Sequence, residues 1–352
     1  MNESRENYEH PSAWMKSDFD SKDAICEKLT AEHIQAFDHA LKRVEDSAVD
    51  VENITRADFP LDSIAESVSR WVNDVQEGRG ILVLTGLPIE RYSKEQCGKL
   101  FYGLGSYFGE AQSQSLMGDR LGHVVDVSGK DTRERAYRNS SELALHTDAS
   151  DIIGMMCLVK AMEGGISGYS SGPAIYNYML KHYPELLEQL FTGYQYHLFG
   201  EQEAGQSPVT DHKVPVFSMR DGYLSVSFLR SYIELAFEEL GVGKSEIEAR
   251  ALDIFDRIAH SPEFRFDFML EPGEMTFFNN YVVLHTRTEF FDDDDPVKKR
   301  HLLRLWLKAW MPRPLKEVFS QYGGRKGIKP QKGRGTYYQG NVQYVESPPP
   351  KG

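Results

Sequence analysis

The sequence has little cysteine and no long apolar run. Its three cysteines, Cys26, Cys97 and Cys157, stand far apart among 352 residues, and none belongs to a CxxC pair. This spacing excludes a disulfide scaffold and a site built from several thiolates, and it is typical of a reduced compartment. No run approaches the roughly 20 apolar residues that a membrane helix needs. The polar start, MNESRENYEH, has no signal-peptide core, so we expect a cytoplasmic globular protein without a membrane partner.

Positive charge is also in deficit. Lysine and arginine total 40 against 53 aspartates and glutamates, so the formal net charge is −13 at pH 7. Such a charge repels phosphate backbones, and we therefore expect no nucleic-acid partner. The content of 40% hydrophobic and 26% charged residues is ordinary for a globular protein with a large core. Composition does not decide whether the chain self-associates, and a homo-oligomer stays open.

Two kinds of periodicity divide the chain. Helical spacing of apolar residues predicts helices over 31–45 and 64–76, and Ser93-Lys-Glu-Gln96 has the form of a capping box that opens a third. Further helices are predicted over 174–182, 184–191 and 247–259. Strands are predicted over 81–85, 123–127, 152–159, 214–218, 223–227, 275–284 and 302–310.

Many short strands with mostly peripheral helices indicate a mixed α+β fold with a double-stranded β-helix, or jelly-roll, core. We expect an N-terminal helical segment packed on the core (1–77), the jelly-roll domain (78–315) and a basic Gly/Pro-rich tail (316–352). Composition predicts a solvated, partly disordered tail, with an arm that binds a partner or covers the active site as the alternative.

His146-Thr-Asp148 is the first candidate for metal binding. On an extended segment, residues i and i+2 point to the same face, so an imidazole and a carboxylate can reach one ion. His285, directly after the apolar segment 275–284, is the best candidate for a third ligand. Two histidines and a carboxylate form the facial triad of non-haem Fe(II) oxygenases, with positions left for cosubstrate and O₂. A lone HxD is weak evidence, because most such pairs are structural.

Two arginines follow in the segment Arg300-His-Leu-Leu-Arg304. The planar fork of an arginine can hold a carboxylate through two hydrogen bonds, which suits the distal carboxylate of 2-oxoglutarate. The alternative is a surface salt bridge between Arg300 and the acidic run 292–295. The apolar residues around the arginines favour partly buried positions instead, where an unpaired charge is costly.

Together these residues resemble the taurine dioxygenase-like family of Fe(II)/2-oxoglutarate-dependent dioxygenases, within the clavaminate synthase-like superfamily. The resemblance covers 78–313 and is carried by Leu145-His-Thr-Asp148, Gly164-Gly-Ile-Ser167, Leu284-His-Thr-Arg-Thr288 and the Arg300–Arg304 segment. It implies that the triad His146, Asp148 and His285 binds iron. It also implies that Arg300 and Ser167 hold 2-oxoglutarate and that Arg304 contacts cosubstrate or substrate. The stretch between His285 and Arg300 is longer than in taurine dioxygenase itself.

Such an enzyme would use Fe(II), 2-oxoglutarate and O₂ to oxidise, by default hydroxylate, a C–H bond of a small molecule, with 2-oxoglutarate converted to succinate. Desaturation or ring closure is the alternative outcome, because it depends on substrate placement that motifs do not encode. A non-catalytic binding barrel and a zinc hydrolase are the other classes, and the complete triad with its arginine disfavours both. Glu142, Arg138 and Arg287 are candidate substrate contacts, and the spare arginines point to a carboxylate or amino-acid-like substrate.

Overall fold

The computed structural model describes residues 6–126, 140–203, 205–321, 327–331, 338–339 and 343–344. The helices of this part of the chain are α1 (Ala31–Ser47), α2 (Ala65–Gln76), α3 (Lys94–Phe108), α4 (Gly172–His182), α5 (Pro184–Thr192), α6 (Arg230–Leu240) and α7 (Glu246–Ala259). Its strands are β1 (Cys26–Lys28), β2 (Ile81–Thr85), β3 (Gly109–Ala111), β4 (Leu121–Val124), β5 (Leu143–His146), β6 (Ile152–Val159), β7 (Glu163–Gly164), β8 (Ser167–Ser171), β9 (Phe217–Arg220), β10 (Tyr223–Val226), β11 (Arg265–Phe268), β12 (Met275–Asn279), β13 (Val283–Arg287), β14 (Phe290–Phe291), β15 (His301–Ala309), β16 (Tyr338–Gln339) and β17 (Gln343–Tyr344). The protein is a mixed α/β structure with several sheets.

Two sheets provide the frame. The larger has seven strands in the order β1-β2-β12-β6-β15-β3, with β4 also paired to β15, and the smaller has four in the order β11-β8-β13-β5. Pairing within the smaller sheet is antiparallel throughout. One apolar cluster takes Ile153 and Trp306 from the larger sheet and Tyr169 and Phe266 from the smaller. The two sheets therefore share a core.

Alternation along the strands decides which side chains face that shared core. On β15, Leu303 and Leu305 pack with α1, α2 and α3, whereas Leu302 and Trp306 join the cluster between the sheets. On the smaller sheet, Leu145 and Leu284 pack against α4, α5 and α7. Because successive side chains of a strand point to opposite faces, the neighbours of these leucines are directed towards the space between the sheets.

Most predicted elements are confirmed, but the segment 275–284 is not one strand. It is divided between β12 in the larger sheet and β13 in the smaller. At the break the side chain of Asn279 accepts the N–H of Tyr281 at 3.0 Å, and its carbonyl accepts the N–H of Val282 at 3.1 Å. Asparagine favours such turns because its side chain bonds nearby backbone. In addition, α6 has no counterpart among the predicted helices.

Part of the C-terminal segment is packed on the core. Ile328 is fully buried in the cluster that contains Leu116 and Trp306. Its N–H donates to the carbonyl of Ser113 at 3.0 Å, and Lys329 forms an ion pair with Glu203 at 2.9 Å. The solvated tail expected from composition therefore does not describe residues 327–331. Among the described helices, none has the length and apolar character needed to cross a membrane.

Candidate active site

His146 and His285 face each other across two neighbouring strands. His146 ends β5, and His285 is its directly opposed partner on β13. The adjacent leucines are buried against the helices, so alternation turns both imidazoles towards the space between the sheets. Their ring centroids are 4.2 Å apart. The register of the smaller sheet thus brings these two distant histidines together.

Asp148 completes the cluster two residues beyond His146. Its Oδ1 lies 3.6 Å from Nε2 of His146, and its Oδ2 lies 3.7 Å from Nε2 of His285. One possible ligand atom from each residue lies within 4.8 Å of the others. Ligand atoms bound at about 2.1 Å lie about 3 Å apart when adjacent on one ion and about 4.2 Å apart when opposite, so the spacing fits a single first-row metal ion.

Neighbouring groups hold these side chains in place. His146 Nδ1 lies 2.8 Å from the carbonyl of Ala144, which leaves Nε2 to face Asp148. Asn280 accepts the N–H of Asp148 at 2.9 Å and donates to the carbonyls of Asp148 and Ser150 at 2.6 and 2.7 Å. The indole N–H of Trp306 donates to Oδ2 of Asp148 at 3.0 Å. Groups of this kind commonly orient metal ligands.

The sequence shows no direct link between Asp148 and either Asn280 or Trp306. Asn280 precedes His285 closely in the sequence, but its side chain holds the turn that carries Asp148. Trp306 is not among the predicted site residues. Its only signal is its position two residues after Arg304, which places both side chains on one face of β15.

Burial and nearby charge favour the metal-binding forms of Asp148 and His285. Burial alone would raise the pKa of Asp148, but the hydrogen bond with His146 and the charge of Arg304 hold that pKa far below its ordinary range. Burial, together with the charge of His146, lowers the pKa of His285 to about 3. An ionised carboxylate and a neutral imidazole are the forms that coordinate metal.

A second group of buried cations lies beside the triad. The guanidinium groups of Arg300 and Arg287 lie 4.9 and 4.7 Å from the centre of the Phe290 ring. Arg300 is only 4% exposed, and burial lowers the pKa values of both arginines to about 10. In the described part of the chain, Nη1 of Arg300 is buried without a hydrogen-bond partner. A buried cation in this state is costly unless an anion joins it.

The acidic run does not neutralise Arg300 as a surface salt bridge would. Asp292 accepts the backbone N–H of Arg300 at 2.7 Å, and no ion pair joins it to the guanidinium among the residues described. Ser167 lies near the arginines, because it is the cross-strand partner of Arg287 in the β8–β13 pair. The predicted partly buried position of Arg300 is therefore confirmed.

Arg304 has a different environment. It is 5% exposed, its Nε donates to Oε1 of Gln114 at 2.7 Å, and its Nη1 lies 3.9 Å from Oδ2 of Asp148. Gln114 also donates to the carbonyls of Arg304 and Arg120, both at 2.9 Å. Sequence reasoning missed Gln114, because nothing local connects it with a residue 190 positions away.

A cavity joins the two groups between the sheets. Its polar lining consists of His146, Ser167, His285, Thr286, Arg287, Arg300 and Arg304. Of the predicted substrate contacts, Arg287 lines this cavity, and Arg138 lies outside the described residues. Glu142 is exposed, directly precedes β5 and is not part of the lining.

This combination defines a class of protein. Two histidines and one carboxylate that could hold one metal ion, beside a cavity with a buried arginine that forms no ion pair among the described residues, are the arrangement of a metal-dependent oxygenase with an anionic cosubstrate. The sequence matches the family described as "Taurine catabolism dioxygenase TauD, TfdA family" over residues 43–306, and the chain belongs to that family. It is an Fe(II)- and 2-oxoglutarate-dependent dioxygenase.

Named relatives agree with this assignment. FR-33289 synthase of Streptomyces rubellomurinus is 31% identical over 300 residues, which cover 83% of this chain and 88% of the relative. The taurine hydroxylase-like protein SAT17 of Stachybotrys chartarum is 26% identical over 306 residues, which cover 83% and 77%.

Solved structures show the same fold. Asparagine oxygenase in complex with Fe(II), 2S,3S-3-hydroxyasparagine and succinate has a TM-score of 0.62 at 16% identity, with 81% of this chain and 93% of that chain covered. The non-haem iron oxygenase OrfP in complex with Fe and alpha-ketoglutaric acid has a TM-score of 0.59 at 13% identity, with 85% and 100% covered.

Proposed function

We propose that His146, Asp148 and His285 bind the catalytic Fe(II) of this dioxygenase. The observation that carries the proposal is the convergence of their ligand atoms within 4.8 Å, beside a cavity between the two sheets. The donors suit iron, since imidazole and carboxylate form the facial triad that leaves three positions open. When bound, the iron with 2-oxoglutarate and O₂ supplies the oxidising chemistry, and the protein supplies position and shielding.

Arg300 and Ser167 hold the distal carboxylate of 2-oxoglutarate. The support is the buried guanidinium, whose Nη1 lacks a partner among the described residues, in the same cavity as the triad. A planar guanidinium offers two parallel N–H groups to a carboxylate, and the Ser167 hydroxyl adds one more donor. Stacking on Phe290 restricts where the Arg300 fork can point. Cosubstrate binding therefore also removes the electrostatic cost of burying Arg300.

The substrate is a small molecule with an anionic group, such as an amino acid or a related carboxylate. Arg287 and Arg304 line the same cavity as Arg300, so the cavity offers further cations beside the one assigned to the cosubstrate carboxylate. Arg304 and Arg287 are the candidates for this second anion. The asparagine oxygenase and OrfP complexes contain hydroxylated amino acids, which is consistent with this class of substrate. Hydroxylation is the outcome that we propose.

The same arrangement supports a finer description of the fold. We assign the two sheets to the two halves of a jelly roll, whose shared core holds the site between them. In this assignment the jelly roll corresponds to 78–315, with the helical segment 1–77 outside the larger sheet. Packing of α1 and α2 on that sheet supports the division.

An anaerobic titration tests the metal and cosubstrate assignments together. Addition of Fe(II) and then 2-oxoglutarate to wild-type protein is expected to give a weak visible charge-transfer band, which a zinc site cannot produce. His146→Ala, Asp148→Ala and His285→Ala should each lose the band and Fe(II) binding. His212→Ala is the matched control, because His212 is half-buried, bonds Asp211 and the carbonyl of Ser320, and does not line the cavity. If a triad variant keeps the charge-transfer band of wild type, the substituted residue is not part of the site.

A substrate panel tests the proposed anionic group. Each of a set of L-amino acids is compared with the amine that lacks its carboxylate, and succinate formation is measured beside the mass of the product. Carboxylates are expected to raise succinate formation above the substrate-free rate and to gain 16 mass units, the mass of one oxygen atom. Equal stimulation by the amines would contradict the proposal.

A further inference from the structure

Trp306 is a buried indole with its polar atom on a proposed metal ligand. The side chain is 4% exposed and packs in the apolar cluster between the sheets. Its N–H donates to Oδ2 of Asp148 at 3.0 Å. A buried indole N–H usually needs an acceptor, and here the acceptor is the carboxylate of the triad rather than a backbone carbonyl.

The two oxygens of Asp148 have different surroundings. Oδ2 lies 3.7 Å from Nε2 of His285, but it also accepts the indole N–H and lies 3.9 Å from Nη1 of Arg304. Oδ1 lies 3.6 Å from Nε2 of His146 and has no comparable donor from β15. An oxygen that already accepts a hydrogen bond beside a cation shares less of its electron density with a metal ion. The geometry therefore favours Oδ1 as the coordinating atom.

Resting on the metal site proposed above, we infer that Trp306 is a positioning residue that keeps Asp148 a one-oxygen ligand. The indole N–H retains Oδ2, so the carboxylate occupies one coordination position instead of two. A two-oxygen carboxylate would take one of the three positions that a facial triad leaves open for cosubstrate and O₂. Trp306 thus contributes to cosubstrate binding without contacting the cosubstrate.

Two substitutions separate the hydrogen bond from the volume of the ring. Trp306→Phe keeps a large aromatic side chain and removes the donor. Trp306→His removes volume but keeps an N–H at the corresponding position of a five-membered ring. Trp310→Phe is the control, because Trp310 is 52% exposed and its indole donates to the carbonyl of Ser106 at 2.8 Å, away from the cavity.

Cobalt(II) serves as the probe, measured by anaerobic titration and by its visible ligand-field spectrum, beside the Tm of the metal-free protein. Trp306→Phe is expected to bind Co(II) about 10- to 100-fold more weakly. Its ligand-field bands should also shift, since a second carboxylate oxygen would replace one of the other ligands of the ion. Trp306→His should bind Co(II) more tightly than Trp306→Phe, and Trp310→Phe should match wild type.

The inference is overturned if Trp306→Phe keeps the affinity and spectrum of wild type, or if Trp306→His binds no better than Trp306→Phe. If Trp306→Phe does not fold, Trp306→His alone decides. Loss of Co(II) binding by Trp306→His with the Tm of wild type would contradict the role of the N–H donor. His285→Ala separates this inference from the site itself. If wild type and His285→Ala bind Co(II) equally, the proposed metal site fails and the inference fails with it.

Discussion

At the scale of single residues, Arg300 and Arg304 are four positions apart but have different partners. Nη1 of Arg300 is buried without a hydrogen-bond partner in the described structure. Arg304 is bonded to Gln114 and lies close to Asp148. Arg300 can therefore donate an N–H to an incoming carboxylate, whereas Arg304 also supports Asp148.

These environments predict different effects of the two substitutions. Loss of a desolvated, charge-assisted contact costs roughly 2–5 kcal/mol. At about 1.4 kcal/mol per tenfold, Arg300→Ala should raise the 2-oxoglutarate constant roughly 30-fold to several-thousand-fold. Arg304→Ala should impair substrate and metal binding at least as much as cosubstrate binding. Titrations of all three ligands on both variants measure this.

The surface ion pair Arg250–Glu185 supplies the control. Arg250→Ala should leave all three constants unchanged, because exposed pairs contribute at most about 1 kcal/mol. If Arg300→Ala binds 2-oxoglutarate within about threefold of wild type, the clamp belongs to Arg304 instead.

At the scale of elements, the turn between β12 and β13 links the strand that carries His285 to the turn that carries Asp148. Asn280 is 1% exposed and bonds the backbone of Asp148 and Ser150. Asn280→Ala leaves these buried groups without partners, at about 1–3 kcal/mol for each. We expect both lower stability in urea and weaker Fe(II) binding. Asn279→Ala is the matched control, because Asn279 is also a buried asparagine but does not bond the turn that carries Asp148. This variant should lower stability and leave Fe(II) binding unchanged. Equal Fe(II) affinities for the two variants would disprove the bracing role.

The two glycines before Ser167 include Gly164, which pairs with Phe290 where the short strands β7 and β14 meet. Gly164 has φ +71°, and a Cβ there would collide with the carbonyl oxygen of Glu289. This strand pair carries Phe290, on which Arg287 and Arg300 stack. The family motif at this position is therefore a backbone requirement of the anion site.

Gly164→Ala should displace Phe290 and weaken 2-oxoglutarate binding about tenfold to hundredfold, since small displacements of positioned groups have large effects. Gly222→Ala is matched in backbone strain, with φ +81° and no atom near the added Cβ. It should cost about 1–2 kcal/mol of stability without changing that binding constant. Comparable binding constants for the two variants would show that Phe290 does not depend on the strand pair.

At the scale of the whole molecule, residues 327–331 connect separate loops. The N–H of Ile328 bonds the carbonyl of Ser113, and the side chain of Gln331 bonds the carbonyl of Gln202 at 3.0 Å. Ser113 is the neighbour of Gln114, which holds Arg304. The C-terminal segment thus supports a loop that reaches the site, although it lies far from the triad in sequence.

Ile328→Ala should lower the free energy of unfolding by about 2–5 kcal/mol, the usual cost of removing a fully buried isoleucine side chain. Urea unfolding of the metal-free protein measures this change. Ile247→Ala provides the comparison, because Ile247 is 45% exposed, and it should change stability by at most about 0.5 kcal/mol. A similarly small effect of Ile328→Ala would mean that the segment is not part of the folded core.

Local sequence was sufficient for much of the fold. The capping box at Ser93 predicts where α3 begins, and its hydroxyl accepts the expected backbone N–H group of Gln96. Apolar periodicity predicts α1, α2, β2 and β6. It could not divide 275–284, because an apolar run does not reveal that its last residues pair with a different sheet. The division of the chain into three parts stays a prediction.

The candidate site, like the fold, could be predicted from the sequence only in part. His146, Asp148, His285 and Arg300 are predicted from residue types, their order in the chain and the family resemblance, since metal and carboxylate binding need particular side chains. The sequence by itself determined which groups are available and which face of a strand they share. Only tertiary structure decided that Gln114 meets Arg304, Trp306 meets Asp148 and Asn280 meets the turn after His146. The physical reason is that side-chain alternation depends on neighbouring residues, whereas a hydrogen-bond partner across sheets depends on strand order and register, which no local pattern encodes.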